Sequence, residues 1–129
     1  MKFDERLRNQ KEAIGSNFDK ALQIFIADRK RMGCAPRTIE WYEEVLGGYF
    51  KDYLEEHNVP LEPSRWIVSD IEDYMDYLIH ERNCKPVTCK SRFSSIKAWC
   101  NFLYKKNYIT DNPVTGIAPM IIKKEIPNR

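Results

Sequence analysis

Apolar residues recur at three- and four-residue intervals over four stretches of this chain, and none alternates with period two. That pattern predicts amphipathic helices and no strand. The first helix is expected from Ser16 to Met32, where Phe18, Leu22, Phe25, Ile26 and Arg29 fall at i, i+4, i+7, i+8 and i+11. Ser16 is placed to cap its start and Gly33 to stop its end. The second is expected from Pro36 to Glu56, striped by Ile39, Tyr42, Leu46, Tyr49 and Tyr53, with Trp41, Val45 and Phe50 beside the stripe. Gly47 and Gly48 interrupt it. Each costs roughly 1 kcal/mol against Ala in a helix interior, so a bend or a close approach is expected there.

The segment "NVPLEPSRW" (58–66) carries two prolines and reads as a connector. The third helix follows from Ser69 to Arg82, with Ser69 as cap and Asp70, Glu72 and Asp73 suited to the positive end of its dipole. Ile71, Tyr74, Met75, Leu78 and Ile79 form its apolar stripe. The fourth runs from Pro86 to Lys106. Phe93, Ile96, Trp99, Cys100 and Leu103 face inward by spacing, and Lys90, Ser94, Lys97, Asn101 and Lys105 share one polar face. Residues 1–15 add a charged turn or two ahead of the first helix. The last stretch, "ITDNPVTGIAPMIIKKEIPNR", reads as a short turn and then a linker.

Two helices begin alike. "CAPRT" (34–38) and "CKPVT" (84–88) share Cys-x-Pro-x-Thr at an offset of fifty. Pro suits the first helical position, where its missing N–H costs nothing. Thr38 and Thr88 then fall at the third helical position, beside backbone N–H groups with no helical partner, a combination suited to phosphate. The same offset aligns Tyr42 with Arg92, Leu46 with Ile96, Tyr49 with Trp99 and Tyr53 with Leu103. Pro and Thr at a helix start also occur for purely local reasons. The aromatics Trp41, Tyr42, Tyr49, Trp99 and Tyr104 read first as core.

Charge sharpens this picture. The net charge of the 129 residues is only +2, yet residues 34–82 carry four basic residues against twelve acidic, net −8. Residues 83–124 carry eight basic residues against Asp111 alone, net +7. The C-terminal part therefore attracts polyanions. An apolar fraction of 43% argues for a folded chain, and the length for one domain. No apolar run is long enough to span a membrane, and the charged start "MKFDERLRNQKEAIG" has no signal-peptide core. The expected compartment is cytoplasmic. Cys34, Cys84, Cys89 and Cys100 are then expected as free, partly buried thiols. His80, Cys84 and Cys89 read H-x3-C-x4-C, with Cys100 as a possible fourth ligand, but the tight C-x2-C knuckle of structural zinc sites is absent, so no metal and no cofactor are expected. His57 and His80 are expected at solvated helix ends.

The stretches "PRTIEWYEEVLGGYFKDYL", "VSDIEDYMDYL" and "KPVTCKSRFSSIKAWCNFLYKKNYITDNPV" together resemble the N-terminal core-binding domain of tyrosine recombinases, the phage integrase family. The matching positions are Thr38 and Tyr42; Asp70, Ile71 and Tyr74; Thr88, Ile96, Trp99 and Phe102; then Ile109, Asn112 and Pro113. The resemblance implies an all-α, SAM-like bundle of four to five helices that forms one jaw of a clamp on duplex DNA. The implied layout is a charged extension over 1–15, the core-binding domain over 16–118, and the start of an interdomain linker over 119–129. It also implies that Thr38 and Thr88 contact phosphate. Arg37, Trp41 and Tyr42 on the second helix, and Lys85, Lys90, Ser91, Arg92 and Lys97 on the fourth, become the expected DNA-facing residues. Glu40, Glu43 and Glu44 depart from this scheme, because carboxylates repel phosphate.

Catalysis in the family needs an Arg…His-x-x-Arg…Tyr constellation in a separate domain, in which the Tyr attacks a phosphodiester. Neither His57 nor His80 gives His-x-x-Arg. The chain is therefore expected to be the non-catalytic, DNA-binding fragment of a longer integrase acting in site-specific recombination, with other recombinase subunits as partners on DNA. No small-molecule substrate and no membrane partner are expected. The alternatives are a helical protein–protein module using the acidic middle segment, and a hydrolase or metalloenzyme for which no constellation is present.

Overall fold

The computed structural model describes residues 2–117, and every regular element among them is helical. The linker expected over 119–129 lies outside the described residues. Helix α1 spans Lys2–Gly15 and α2 spans Phe18–Arg31. A long composite helix follows: α3 (Pro36–Glu44), a π-helical segment (Val45–Phe50) and α4 (Lys51–Glu56). A 3-10 turn (Pro63–Arg65) leads into α5 (Val68–His80), and α6 (Pro86–Lys105) is the longest uninterrupted α-helix among the described residues. Helix α2 packs on α1, α3, the π segment and α6, while α5 packs on α6.

Several starts differ from expectation. The extension expected as a turn or two holds a full helix over Lys2–Gly15. Asn17, not Ser16, caps α2, its side chain accepting from the Lys20 N–H at 3.0 Å. Ser69 does not cap α5, which begins one residue earlier; Asp70 instead accepts from the Ile67 N–H at 3.0 Å. In both places the residue used is the one whose carboxyl or amide oxygen reaches an unpaired N–H at the helix start.

The ends follow a common device. Gly33 takes φ +89 after α2, and Asn58 and Asn107 take φ 56 and 65 after α4 and α6. At each, the next residue's N–H returns to a carbonyl five residues back: Cys34 to Arg29 (3.1 Å), Val59 to Leu54 (2.9 Å) and Tyr108 to Leu103 (2.8 Å). Asn shares the left-handed region with Gly because its short amide tolerates it.

The glycine pair lies within the π segment. A Cβ on Gly47 would come within 3.1 Å of Leu22 Cδ2, so the missing side chain lets α2 approach closely. The i→i+5 turn also inserts a residue into the helical register. As a result Val45, Leu46, Phe50, Tyr53 and Leu54 are buried, whereas Tyr49 is turned out, 44% exposed. The fifty-residue repeat therefore holds at Leu46/Ile96 and Tyr53/Leu103, all buried, and fails at Tyr49/Trp99.

The core is an aromatic column. Phe18 meets Trp99 edge-on at 5.1 Å, Trp66 stands 5.5 Å from Trp99, Phe50 5.4 Å from Trp66, and Tyr74 5.1 Å from Phe50. Trp66, in the expected connector, is thus a core residue, and its indole N–H donates to the Pro60 carbonyl at 2.8 Å. Trp99 is fully buried and donates to the Ala21 carbonyl at 3.3 Å. Phe93 is only half-buried, and Trp41 and Tyr104 are exposed rather than core. His57 and His80 stand exposed at helix ends, His57 stacked on Tyr53 at 4.2 Å.

Two measurements test this packing. Gly15 is buried, and a Cβ there would run into the Tyr108 carbonyl oxygen, whereas a Cβ on Gly48 would meet nothing. Gly15→Ala is expected to destabilise the fold by about 1–3 kcal/mol, as overpacking does. Gly48→Ala should be neutral or stabilising by up to ~1 kcal/mol; urea unfolding of both variants reads the contrast. Cys34 and Cys84 are half-buried, while Cys89 and Cys100 are buried and burial pushes both of their thiols up. An aromatic disulfide reagent should label the first pair in the native protein and the second pair only on unfolding.

Candidate nucleic-acid interface

Both Pro-led helices start as their spacing implies. Ala35 and Lys85 occupy the cap positions with extended backbone (ψ 150 and 152), and Pro36 and Pro86 follow at the first helical position. Neither start receives a side-chain cap. Thr38 and Thr88 therefore fall in first turns whose N–H groups are left to other partners. Thr38 is exposed and Thr88 half-buried, and the Thr88 N–H returns to the Lys85 carbonyl at 2.9 Å.

On α6, Lys85, Lys90 and Lys97 are exposed, as are Ser94, Asn101 and Lys105, so the polar face read from the spacing is a solvent face. Its opposite side holds Ile96, Trp99, Cys100 and Leu103 in the core. Helix α6 is thus pinned by one face and presents lysines on the other. None of these lysines has a carboxylate within ion-pair distance among the described residues. Ser91 is half-buried, and its carbonyl accepts from the Ser95 hydroxyl at 3.3 Å. Asn101 accepts from the Asn112 amide at 2.9 Å, which ties the turn holding Ile109, Pro113 and Val114 to the far end of α6.

Arg92 is placed differently from the lysines. It is half-buried, with its guanidinium 4.1 Å from the centre of the Tyr49 ring, a cation–π contact. This is where α6 crosses the composite helix: four residues after Thr88 and eleven after Thr38. The π segment creates the contact by turning Tyr49 outward.

On α3, Arg37, Thr38 and Trp41 line a shallow open groove together with Glu40 and Glu44. Two of the three glutamates thus share the surface of the expected DNA-facing residues. Glu43 lines a different groove, against α2. Tyr42 is half-buried and packs edge-on against Phe25 at 5.1 Å, so most of its ring serves the core.

Two cations near the end of α2 are already engaged. Asp28, buried, accepts from Arg29 at 2.8 Å and from Arg31 at 2.6 Å. The Arg29 hydrogen bond, outweighing burial, holds the Asp28 carboxyl below its ordinary range.

Sequence reasoning passes over two exposed residues at these sites. Val87, between Pro86 and Thr88, is 67% exposed, an apolar group in solvent at the start of α6. Its place inside the repeated pentad is the available signal. Arg82, after α5, stands in a cavity with Arg92; the acidic residues around it in the sequence mask it.

Among the described residues no helix is long and apolar enough to cross a membrane, and no cluster of His, Cys, Asp and Glu has the makings of a metal site. No curated protein and no solved structure matches the chain. The family described as the phage integrase SAM-like domain matches residues 17–124, which takes in every helix from α2 to α6. With that span and the all-helical architecture both in agreement, the chain belongs to the phage integrase SAM-like domain family.

Proposed function

We propose that this domain binds duplex DNA as the core-binding jaw of a tyrosine recombinase, in site-specific recombination, with α6 as its principal contact. The observation that carries this reading is the solvent face of α6, whose lysines have no carboxylate partner among the described residues. Such a face gains affinity by releasing counterions from the phosphate backbone. Lys85, Thr88, Lys90 and Lys97 are assigned to phosphate positioning, and Val87 to apolar contact in the groove, where a thymine methyl is a suitable partner. Arg37, Thr38 and Trp41 take a lesser part, since Glu40 and Glu44 share their groove. Ser91 and Tyr42 sit at the edge of the contact. Arg92 supports the crossing of the two helices and reaches DNA only from beside Tyr49. Strand cleavage and ligation are assigned to a separate catalytic domain of the parent enzyme.

One small module buries roughly 600–1,000 Å² on DNA, so binding is expected to be weak, in the micromolar range, and to fall steeply with salt. Fluorescence anisotropy with a duplex at rising salt measures this. No binding at ~50 mM salt would favour the helical protein–protein module instead.

The two Pro-led starts are expected to carry unequal weight. Thr88→Ala combined with Lys90→Ala should weaken binding more than Thr38→Ala combined with Arg37→Ala. The α6 pair should also flatten the salt dependence, by about 0.9 in slope for each phosphate that is no longer neutralised. Circular dichroism checks that both variants are folded. Equal losses would mean that Glu40 and Glu44 turn away from DNA on binding, and a larger loss from the α3 pair would reverse the assignment.

A further inference from the structure

The cysteine of the repeated Cys-x-Pro-x-Thr pentad has no part in the DNA reading. In both copies it is the residue before the helix cap, Cys34 ahead of Ala35 and Cys84 ahead of Lys85. An apolar residue there often packs on the fourth helical position, a staple that fixes the angle at which the chain enters the helix. That fourth position is Ile39 in α3 and Cys89 in α6, both buried. The staple positions of α3 therefore hold one thiol and one alkyl group, and those of α6 hold two thiols.

The α6 pair is anchored at both ends. The Cys84 N–H donates to the Leu78 carbonyl at 2.9 Å, and the Cys89 N–H to the Lys85 carbonyl at 3.0 Å. The Cys89 thiol lies 3.9 Å from the Cys84 carbonyl oxygen, which sets it beside the residue that carries the other sulfur. Burial first, and the neighbouring Cys84 second, push the Cys89 thiol up. Cys84 is half-buried and packs against the core from its edge, whereas Cys89 is 1% exposed. One sulfur of the pair is thus open to a reagent and the other meets only its partner.

We infer that Cys84 and Cys89 are a dithiol–disulfide couple at the start of α6, closed by a small disulfide such as oxidised glutathione. The Cys84 thiolate attacks one sulfur of the glutathione disulfide, forms a mixed disulfide and expels one glutathione thiolate. Cys89, its proton lost to water, then attacks the Cys84 sulfur and expels the second glutathione as a thiolate. Two cysteine thiols are oxidised to one disulfide, and one glutathione disulfide is reduced to two thiols. Cys89 reacts only when the first turn of α6 opens, so closure is slow beside the capping of Cys84. The closed ring holds Lys85, Val87 and Thr88, which brings the start of α6 under redox control. The couple rests on the two sulfurs alone and stands whether or not α6 binds DNA.

The test equilibrates the 129-residue protein with glutathione buffers of rising oxidised-to-reduced ratio, once in native buffer and once in urea. Acid quenching and peptide mass spectrometry read the product. The unfolded chain reports what the spacing of the two cysteines does unaided, and the difference is the contribution of the fold. The Cys84–Cys89 peptide is expected to lose two hydrogens in native buffer at a ratio about tenfold more reducing than in urea. Cys34 should end as a glutathione adduct, because Ile39 offers it no sulfur. Cys89→Ser should leave the adduct on Cys84, and Cys84→Ser should leave Cys89 unmodified in the folded protein. Closure that needs an equal or more oxidising ratio in native buffer than in urea would overturn the inference, since the fold would then hold the sulfurs apart. So would a wild-type protein that keeps glutathione on Cys84, or one that links Cys84 to Cys34.

Discussion

The burial of one indole fixes where the lysine face of α6 points. Trp99 has no solvent exposure, touches Phe18 and Trp66 edge-on, and spends its N–H on the Ala21 carbonyl of α2. Aromatic side chains bury the largest areas in a core, and an indole N–H must find an acceptor when buried. Those two demands leave α6 one rotation about its axis. Lys90, Lys97 and Lys105 sit on the side of the helix away from Trp99, so the same constraint that builds the core holds the lysines in solvent. The aromatic column continues through Phe50 and Tyr74, which ties the composite helix and α5 to this frame.

The π segment is the second determinant. It lets α2 approach at Gly47, shifts Tyr49 out of the core stripe, and thereby gives Arg92 a ring to lie on. A helix of regular register would have buried Tyr49 as its repeat partner Trp99 is buried. The departure converts a core position into the point where α6 crosses the composite helix. Arg92 also stands beside the buried Tyr74 hydroxyl in the same cavity. π turns are often found at functional positions for this reason: they place a side chain where regular helix geometry would not.

Much of the fold is legible in the sequence because burial imposes a period. Spacing alone separates Ile96, Trp99, Cys100 and Leu103 from Lys90, Ser94, Lys97, Asn101 and Lys105, and the structure separates them the same way. The Pro-x-Thr starts are legible because Pro has few positions open to it in a helix. Legibility fails where tertiary contact outweighs local pattern. Helix α1 escapes a reading by stripe because residues 5–13 are mostly charged or polar and mostly exposed, while Ile14 and Gly15 pack at its end. Trp66 reads as connector because two prolines precede it, yet the chain folds it into the aromatic column. Tyr49 reads as core because the glycine pair signals a disturbance without giving its size. At the candidate interface the residue types are readable. The sharing of one groove by Arg37, Thr38, Trp41, Glu40 and Glu44 depends on side-chain placement in three dimensions.

We propose that α6 is held by its apolar face so that its lysine face meets DNA. The most direct measurement is amide and lysine side-chain chemical-shift mapping of the isotopically labelled domain as a duplex is added at low salt. Perturbations are predicted to concentrate on the start and solvent face of α6, at Lys85, Thr88, Lys90, Ser94 and Lys97, with weaker ones at Arg37 and Thr38. Perturbations centred on Glu72, Asp73 and Asp76 of α5, or none on α6, would contradict it.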